Sequence, residues 1–390
     1  MKKLEKRILL ASPTMHGEEQ AYIKEAFDRN WIAPLGFNCD GFENEMNEYL
    51  GNSAHTFATV SGTSAIQLAI KLAGVKPGDH VLCSDMTFAA TVNPVSYEGA
   101  VQVFVDSEAE TWNMSPEALE KAFEKYPDAK VVVMAHLYGT PGKMDELLNV
   151  CRKHNAIMVE DAAEALSSEY KGVKCGTFGE YNALSFNGNK IITTSGGGML
   201  ITKSGEARKK ALSWSTQARE AAPWYQHEEL GYNYRMSNVV AGIGRGQLKH
   251  LEEHREIKER IYRRYEEGLK DCPVKMNSYL DDCRPNFWLS CMTINPEAMC
   301  QQVRTANTSS WIHEDGKTCP DEIAAKLLDY NIETRPIWKP MHMQPYYADR
   351  DFISTGVGED IFARGICLPS DIKMTEAEQD AVIEVIRSCF

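Results

Sequence analysis

The sequence predicts an α/β protein: a mixed, mostly parallel sheet flanked by helices, followed by a smaller C-terminal α+β domain. Three observations predict it. Short apolar runs alternate with helix-length amphipathic stretches through the first two thirds of the chain, the pattern of strands joined by crossover helices. Near residue 250 this texture gives way to a long, highly charged helical stretch. At 390 residues the chain is also longer than one ordinary core supports, so two domains are expected.

The strand-length runs are His80–Cys83, Val101–Val105, Val131–Ala135, Ile157–Val159, Ala183–Phe186 and Met199–Ile201. Helical patterns fall between them at Ala65–Ala73, Ser115–Lys125 and Met144–His154. The second opens with Ser115-Pro116-Glu117, an N-cap followed by proline at the first helical position, where its missing N–H costs nothing. Gln247–Leu269 reads as one long charged helix that suits either domain. After it, Trp288–Ile294 reads as a strand and Thr375–Ser388 as a terminal helix. These readings place a large domain at 1–250 and a small one at 251–390. There are no internal repeats and no low-complexity tract.

Composition narrows the function classes. With 43% apolar and 25% charged residues the chain is an ordinary globular protein. Its 42 Lys and Arg against 55 Asp and Glu leave a net charge of −13, which argues against nucleic acid as a partner while allowing a local basic pocket for a phosphate or diphosphate. The 11 cysteines are scattered, and no pair has the two-residue spacing of a zinc knuckle, so reduced thiols and no metal are expected. The apolar run Ile8–Ala11, after the basic opening, is too short for a signal peptide core. No run approaches the ~20 apolar residues of a membrane helix. A cytoplasmic protein is expected.

Three motifs carry chemistry. Ser61-Gly62-Thr63-Ser64 stands ahead of the apolar Ala65–Ala73. Small hydroxyl residues and glycine at a helix start make a phosphate cradle, because the free N–H groups and the helix dipole both favour an anion. Taken alone, the same residues read as an ordinary N-cap. Ile157-Met158-Val159-Glu160-Asp161 is an apolar run ending in acids, which puts Asp161 at the C-terminal end of a buried strand, where open α/β sheets hold ligands. A protonated pyridine nitrogen would give that buried carboxylate its partner, and a loop N-cap is the plainer alternative. In Ala183–Met199 a strand passes Ser185 into a polar turn, then Lys190, then hydroxyls and three glycines. A lysine held so that its amine stays available forms Schiff bases. A flexible surface lysine is the other reading. The order of the three motifs, cradle then acid then serine and lysine, is more specific than any one of them.

These motifs resemble the DegT/DnrJ/EryC1/StrS family of nucleotide-sugar aminotransferases over essentially the whole chain. The run from Asn187 through Lys190 to Met199 closely resembles the branch that serves bacillosamine synthesis, as do Trp31–Gly36, Ser215–Glu220, Gly231–Arg235 and Glu333–Trp338. The resemblance implies the type I aminotransferase fold, pyridoxal phosphate as cofactor, L-glutamate as amino donor and a UDP-4-keto-6-deoxy-N-acetylglucosamine acceptor aminated at C4. It implies that Lys190 holds the cofactor and moves the proton, and that Asp161 pairs with the pyridinium nitrogen. Phe88 would stack on the ring. Gly62, Thr63 and Ser185 would bind the phosphate. Glu164 would approach the ring hydroxyl, where family members often carry Gln or His. Asn233 would reach the phosphate of a neighbouring subunit, making a homodimer with shared sites. Trp31, Ile32, Ala33, Arg219, Arg335 and His342 resemble the nucleotide-sugar wall, with Arg219 and Arg335 also suited to the glutamate carboxylates. Core packing for Trp31 and Trp338, and a structural role for His342, are the plain alternatives. Dehydratase members of the family carry His at the lysine position, so Lys190 points away from that branch.

Overall fold

The computed structural model describes residues 3–52 and 54–390; Met1 and Lys2 of the basic opening lie outside the described residues. The strands in chain order are β1 (His55–Thr59), β2 (His80–Ser84), β3 (Val101–Val105), β4 (Val131–Ala135), β5 (Ile157–Asp161), the short β6 (Glu169–Tyr170) and β7 (Val173–Lys174), then β8 (Tyr181–Ser185) and β9 (Gly198–Thr202). After residue 250 come β10 (Val274–Met276), β11 (Cys283–Arg284), β12 (Ser290–Ile294), β13 (Gln301–Arg304), β14 (Ser309–Ile312), β15 (Arg335–Pro336), β16 (Asp351–Ile353) and β17 (Gly365–Leu368).

Eight of these form the large sheet, in the order β1-β9-β8-β5-β4-β2-β3-β16. The block from β8 to β16 is parallel, and β9 and β1 close one edge antiparallel. All five residues of β4 are buried, as a strand covered on both faces requires. Alternation sorts its side chains. Val131 and Val133 pack with α3 (Gly62–Leu72) and α4 (Ala89–Tyr97) on one face, while Val132 and Met134 meet α5 (Pro116–Lys125) and α6 (Met144–Lys153) on the other. (The helices ahead of them, Glu18–Asp28 and Phe37–Tyr49, are α1 and α2, and α7 is Gly205–Ser215.)

The expected long helix at 247–269 is two helices. α8 (Asn238–Leu248) ends at Lys249, and α9 (Leu251–Gly268) starts after His250. The two dock on different surfaces. Gly244 and Gly246 of α8 press against Phe42 and Glu19, whereas Ile261, Tyr262 and Tyr265 of α9 join a second core. That core covers a four-stranded antiparallel sheet, β10-β12-β17-β15, with help from α10 (Pro320–Asp329) and α12 (Glu376–Arg387). A shorter helix, α11 (Val357–Arg364), precedes β17.

Two segments cross the boundary expected at residue 250. Ile8, at the chain's start, bridges Ile332 and is buried in the second core. β16, from the C-terminal half, pairs with β3 at the edge of the large sheet. β1 is also new relative to the sequence reading. No helix among the described residues is long and apolar enough to cross a membrane.

Candidate active site

The parallel block points one end of β2, β4, β5 and β8 the same way. Residues at or just beyond those ends, Thr87 and Phe88, His136, Asp161 and Ser185, therefore gather along one edge. They line a cavity of about 400 Å³ together with Gly62, Thr63, Glu164, Lys190 and Trp288. Seven predicted cofactor residues, Gly62, Thr63, Phe88, Asp161, Glu164, Ser185 and Lys190, thus converge from four separate stretches of sequence.

Asp161 ends β5 and is 6% exposed. Thr91 Oγ1 donates to its Oδ2 at 2.6 Å, and the Ala163 N–H donates to Oδ1 at 3.0 Å. Thr87 in turn contacts Thr91 through paired hydroxyls at 2.6 Å. Burial pushes the Asp161 carboxyl above its usual range, against the pull of those hydrogen bonds. A carboxyl so buried stays ionised only opposite a cation, and a protonated ring nitrogen is such a cation.

Lys190 lies in the loop between β8 and β9, and its side chain is 12% exposed. Its Nζ stands 3.6 Å from Glu164 Oε1 and 4.2 Å from the centre of the Trp288 ring. Glu164 accepts from the Tyr138 N–H at 2.8 Å, and burial raises its carboxyl too. The backbone at Tyr138 is left-handed (φ 54), a strained setting for a large residue, and its hydroxyl accepts from Trp338 N–H at 2.8 Å. The loop closes on itself: Phe186 N–H donates to Gly197 O, and Thr194 N–H donates back to Phe186 O.

The phosphate cradle is built by close approach. Ser61 caps α3 through Ser64 in a reciprocal capping box. A Cβ on Gly62 would stand 2.8 Å from the Ser185 Cβ, and one on Gly198 only 2.3 Å from Ser61 O, so both positions need glycine. Hydroxyls of Thr63 and Ser185 and the free end of a helix face one small space. Acid at one end, anion cradle at the other and a lysine between them fit pyridoxal phosphate.

A second cavity, about 690 Å³, adjoins the first and shares Thr87, Phe88, Asn189, Trp288 and Trp338 with it. Arg335 and Lys339 stand on its lining, Arg335 paired with Glu333 at 2.5 Å. Of the expected nucleotide-sugar wall, Arg335 alone lines this space. Trp31 and Ile32 are about half exposed, and Ala33 and Arg219 are exposed; none lines either cavity, so Trp31 is not a core residue. Asn233 is likewise exposed and outside both. His342 is a structural histidine rather than part of the wall. Its Nδ1 meets Asp85 Oδ2 at 2.7 Å, its Nε2 meets Glu359 Oε1 at 3.0 Å, and its ring stacks on Phe352. Both ring nitrogens are spent, leaving nothing to offer a ligand.

Sequence reasoning missed Thr91, His136 and Trp288. Gly142 N–H donates to His136 Nδ1, so Nε2 carries the proton and donates to Glu160 Oε1 at 2.9 Å. Glu160 also takes the N–H groups of Gly176 and Phe178. A pair of acids at the end of an apolar run was the available signal: Glu160 braces the strand end and Asp161 faces the cavity.

A family model described as the DegT/DnrJ/EryC1/StrS aminotransferase family matches residues 13–387. A Bacillus subtilis (strain 168) protein, EpsN, which carries the name pyridoxal phosphate-dependent aminotransferase, is 45% identical, with 99% of this chain and 97% of that one covered. A GDP-perosamine synthase of Caulobacter vibrioides is 34% identical, with 97% of each chain covered. Among solved structures, a DegT DnrJ EryC1 StrS aminotransferase from Brucella abortus superposes with a TM-score of 0.84 at 27% identity, covering 95% of each chain.

Proposed function

The chain belongs to the DegT/DnrJ/EryC1/StrS aminotransferase family, and from that premise we propose that it moves an amino group from L-glutamate to C4 of UDP-2-acetamido-2,6-dideoxy-4-keto-glucose, releasing 2-oxoglutarate. It is a pyridoxal-phosphate-dependent enzyme that aminates keto intermediates of nucleotide sugars. The choice of UDP, of C4 and of glutamate is our reading. One observation carries the reading of an extended acceptor: the lysine cavity opens into a larger one walled by Phe88, Trp288 and Trp338, with Arg335 and Lys339 on its lining. Flat rings suit a sugar, and guanidinium and ammonium groups suit a diphosphate. The runs around Lys190, Trp31, Arg219 and Arg335 favour the UDP sugar.

When bound, pyridoxal phosphate supplies an electron sink and a carrier for the amino group. Lys190 would hold the cofactor, and its Nζ would carry the proton to and from the reacting carbon. Asp161, fixed by Thr91, keeps the ring nitrogen protonated. Glu164, 3.6 Å from Lys190 Nζ, would approach the ring hydroxyl. Gly62, Thr63 and Ser185 take the phosphate, and Phe88 covers the ring. Asn233 of a second copy completes the cradle, and Trp31, Ile32, Ala33 and Arg219 extend the acceptor wall across a homodimer. In support, these residues are exposed beside the exposed apolar Leu35, Val60, Trp224, Tyr225 and Leu230. Eleven free thiols suit a reducing compartment, so we place the enzyme in the cytoplasm.

A GDP-sugar acceptor is the second reading, favoured by the Caulobacter relative. A panel of UDP-, GDP- and dTDP-linked 4-keto-6-deoxy sugars, assayed for glutamate-dependent amine transfer, separates the two. Preferred turnover of the UDP sugar is expected. Equal or better turnover of the GDP sugar would sink our choice while leaving the aminotransferase chemistry intact.

A further inference from the structure

Away from the active site, the base of the β13–β14 hairpin gathers an unusual set of side chains. Cys300 directly precedes β13, and His313 directly follows β14. Cys319 caps α10, and Glu322 lies in that helix's first turn. Backbone pairing brings them together: Cys300 N–H donates to Thr318 O at 2.9 Å, and Thr318 N–H donates to Ala298 O at 3.0 Å. Cys300 is 4% exposed and Cys319 is wholly buried. One atom from each of Cys300, Cys319 and Glu322 lies within 4.8 Å of the others. Cys300 Sγ is 3.7 Å from Glu322 Oε2, and His313 Nδ1 is 2.8 Å from the other oxygen, Oε1.

We propose that Cys300, Cys319 and Glu322 bind a zinc ion, with His313 turning in as the fourth ligand. The spacing suits the ion. Zinc bonded to sulfur at about 2.3 Å and oxygen at about 2.0 Å places tetrahedral sulfur and oxygen roughly 3.5 Å apart, close to the observed pair. The donor set selects the metal: two thiolates, a carboxylate and an imidazole are borderline-soft ligands, while calcium and magnesium want oxygen cages. Binding displaces both thiol protons to solvent, so affinity rises with pH. Thr318 Oγ1, donating to Glu322 Oε2 at 3.0 Å, fixes the carboxylate from outside the site.

Two other clusters of possible ligands offer less. His136 and Glu160 spend their ring nitrogens and carboxylate oxygens on hydrogen bonds already described, which leaves that cluster a single thiol. His16, His250 and Glu253 are more exposed and hold no thiol. The cysteine site also has a structural purpose. A two-stranded ribbon is marginal by itself, and this one carries exposed Val303, Trp311 and Ile312. An ion held by Cys300 at one foot, His313 at the other and the start of α10 clamps the ribbon to the small domain, beside the Arg304–Asp321 ion pair.

The test uses the full chain loaded with cofactor and purified without chelators. Zinc is counted by mass spectrometry, then exchanged for cobalt(II) and read by absorbance. One metal per chain is expected, with a thiolate-to-cobalt charge-transfer band that halves in Cys300→Ser or Cys319→Ser and vanishes in the double variant. His313→Ala, at an exposed position, should weaken zinc by about tenfold or more while leaving the lysine-bound cofactor band unchanged. That variant and Glu322→Gln keep the test decisive if the cysteine variants misfold. Absence of zinc with no charge-transfer band overturns the proposal. So does a band that survives the double variant, metal that departs only with His16→Ala, or a Cys300–Cys319 disulfide that persists in enzyme purified under reducing conditions.

Discussion

The floor of the active site and its acceptor wall are built differently. The floor is closed within one chain: Asp161, Glu164, Ser185 and Lys190 all line one cavity, and Asp161 and Glu164 are held by hydrogen bonds. The wall is not. Trp31, Ile32, Ala33 and Arg219 lie exposed outside both cavities, as does Asn233 of the expected phosphate cradle, and of the expected wall only Arg335 lines the larger one. The contrast teaches that the lysine and its acids share one buried pocket within a single chain, while most of the predicted wall is scattered over its surface.

The largest break in that contrast comes from the floor. Lys190→Ala should lower glutamate-dependent amine transfer by about 10⁴-fold, and the purified variant should lack the near-visible band of a lysine-bound cofactor. A variant that keeps the band would move the chemistry to another lysine. The proposed contact between copies offers an intermediate effect. Asn233→Asp sets a negative charge where the second copy's phosphate contact is proposed, and should weaken cofactor retention by roughly tenfold to a hundredfold. Mixed dimers of Asn233→Asp with Lys190→Ala should regain activity, because one of their two sites is intact. Failure to regain it would return Asn233 to its own chain's surface.

The smallest effect lies between the regions, at His342. Burial pulls its pKa down, but the hydrogen bonds to Asp85 and Glu359 outweigh that and leave it raised. A raised native value means the charged pair stabilises fully below the ordinary histidine pKa of about 6.5 and is lost as pH climbs through the native value. Wild type should therefore exceed His342→Gln in thermal midpoint by a few degrees at mildly acid pH, with the gap narrowing as pH rises. A gap that widens instead would reverse the assignment.

How much was legible follows from what each feature depends on. The interior strands of the parallel block could be read because strands covered on both faces are continuous apolar runs; β3 and β4 fall where the runs place them. Asp161 and Lys190 could be read because each follows such a run. Thr91 and Trp288 could not: Thr91 matters only because it points at Asp161, and Trp288 sits ahead of β12, after a left-handed turn at Phe287 that turns the chain toward the lysine. The break at Lys249–His250 depends on two docking surfaces that no local pattern records. Cys300 and Cys319 escaped the search for short metal motifs because a backbone ladder, not sequence spacing, makes them neighbours.

The placing of β16 bears on how the chain is made. Asp351 pairs with Val103, so the outer side of β3 has no partner strand until the ribosome has passed residue 351. In that interval a nascent chain with β2, β3 and β4 in place would present a bare row of backbone donors and acceptors, open to pairing with another molecule. The same long-range closure raises contact order and slows the final step. Chains stopped short of β16 are therefore expected to aggregate more readily than chains that include it, because Asp351–Ile353 is the strand that seals this edge.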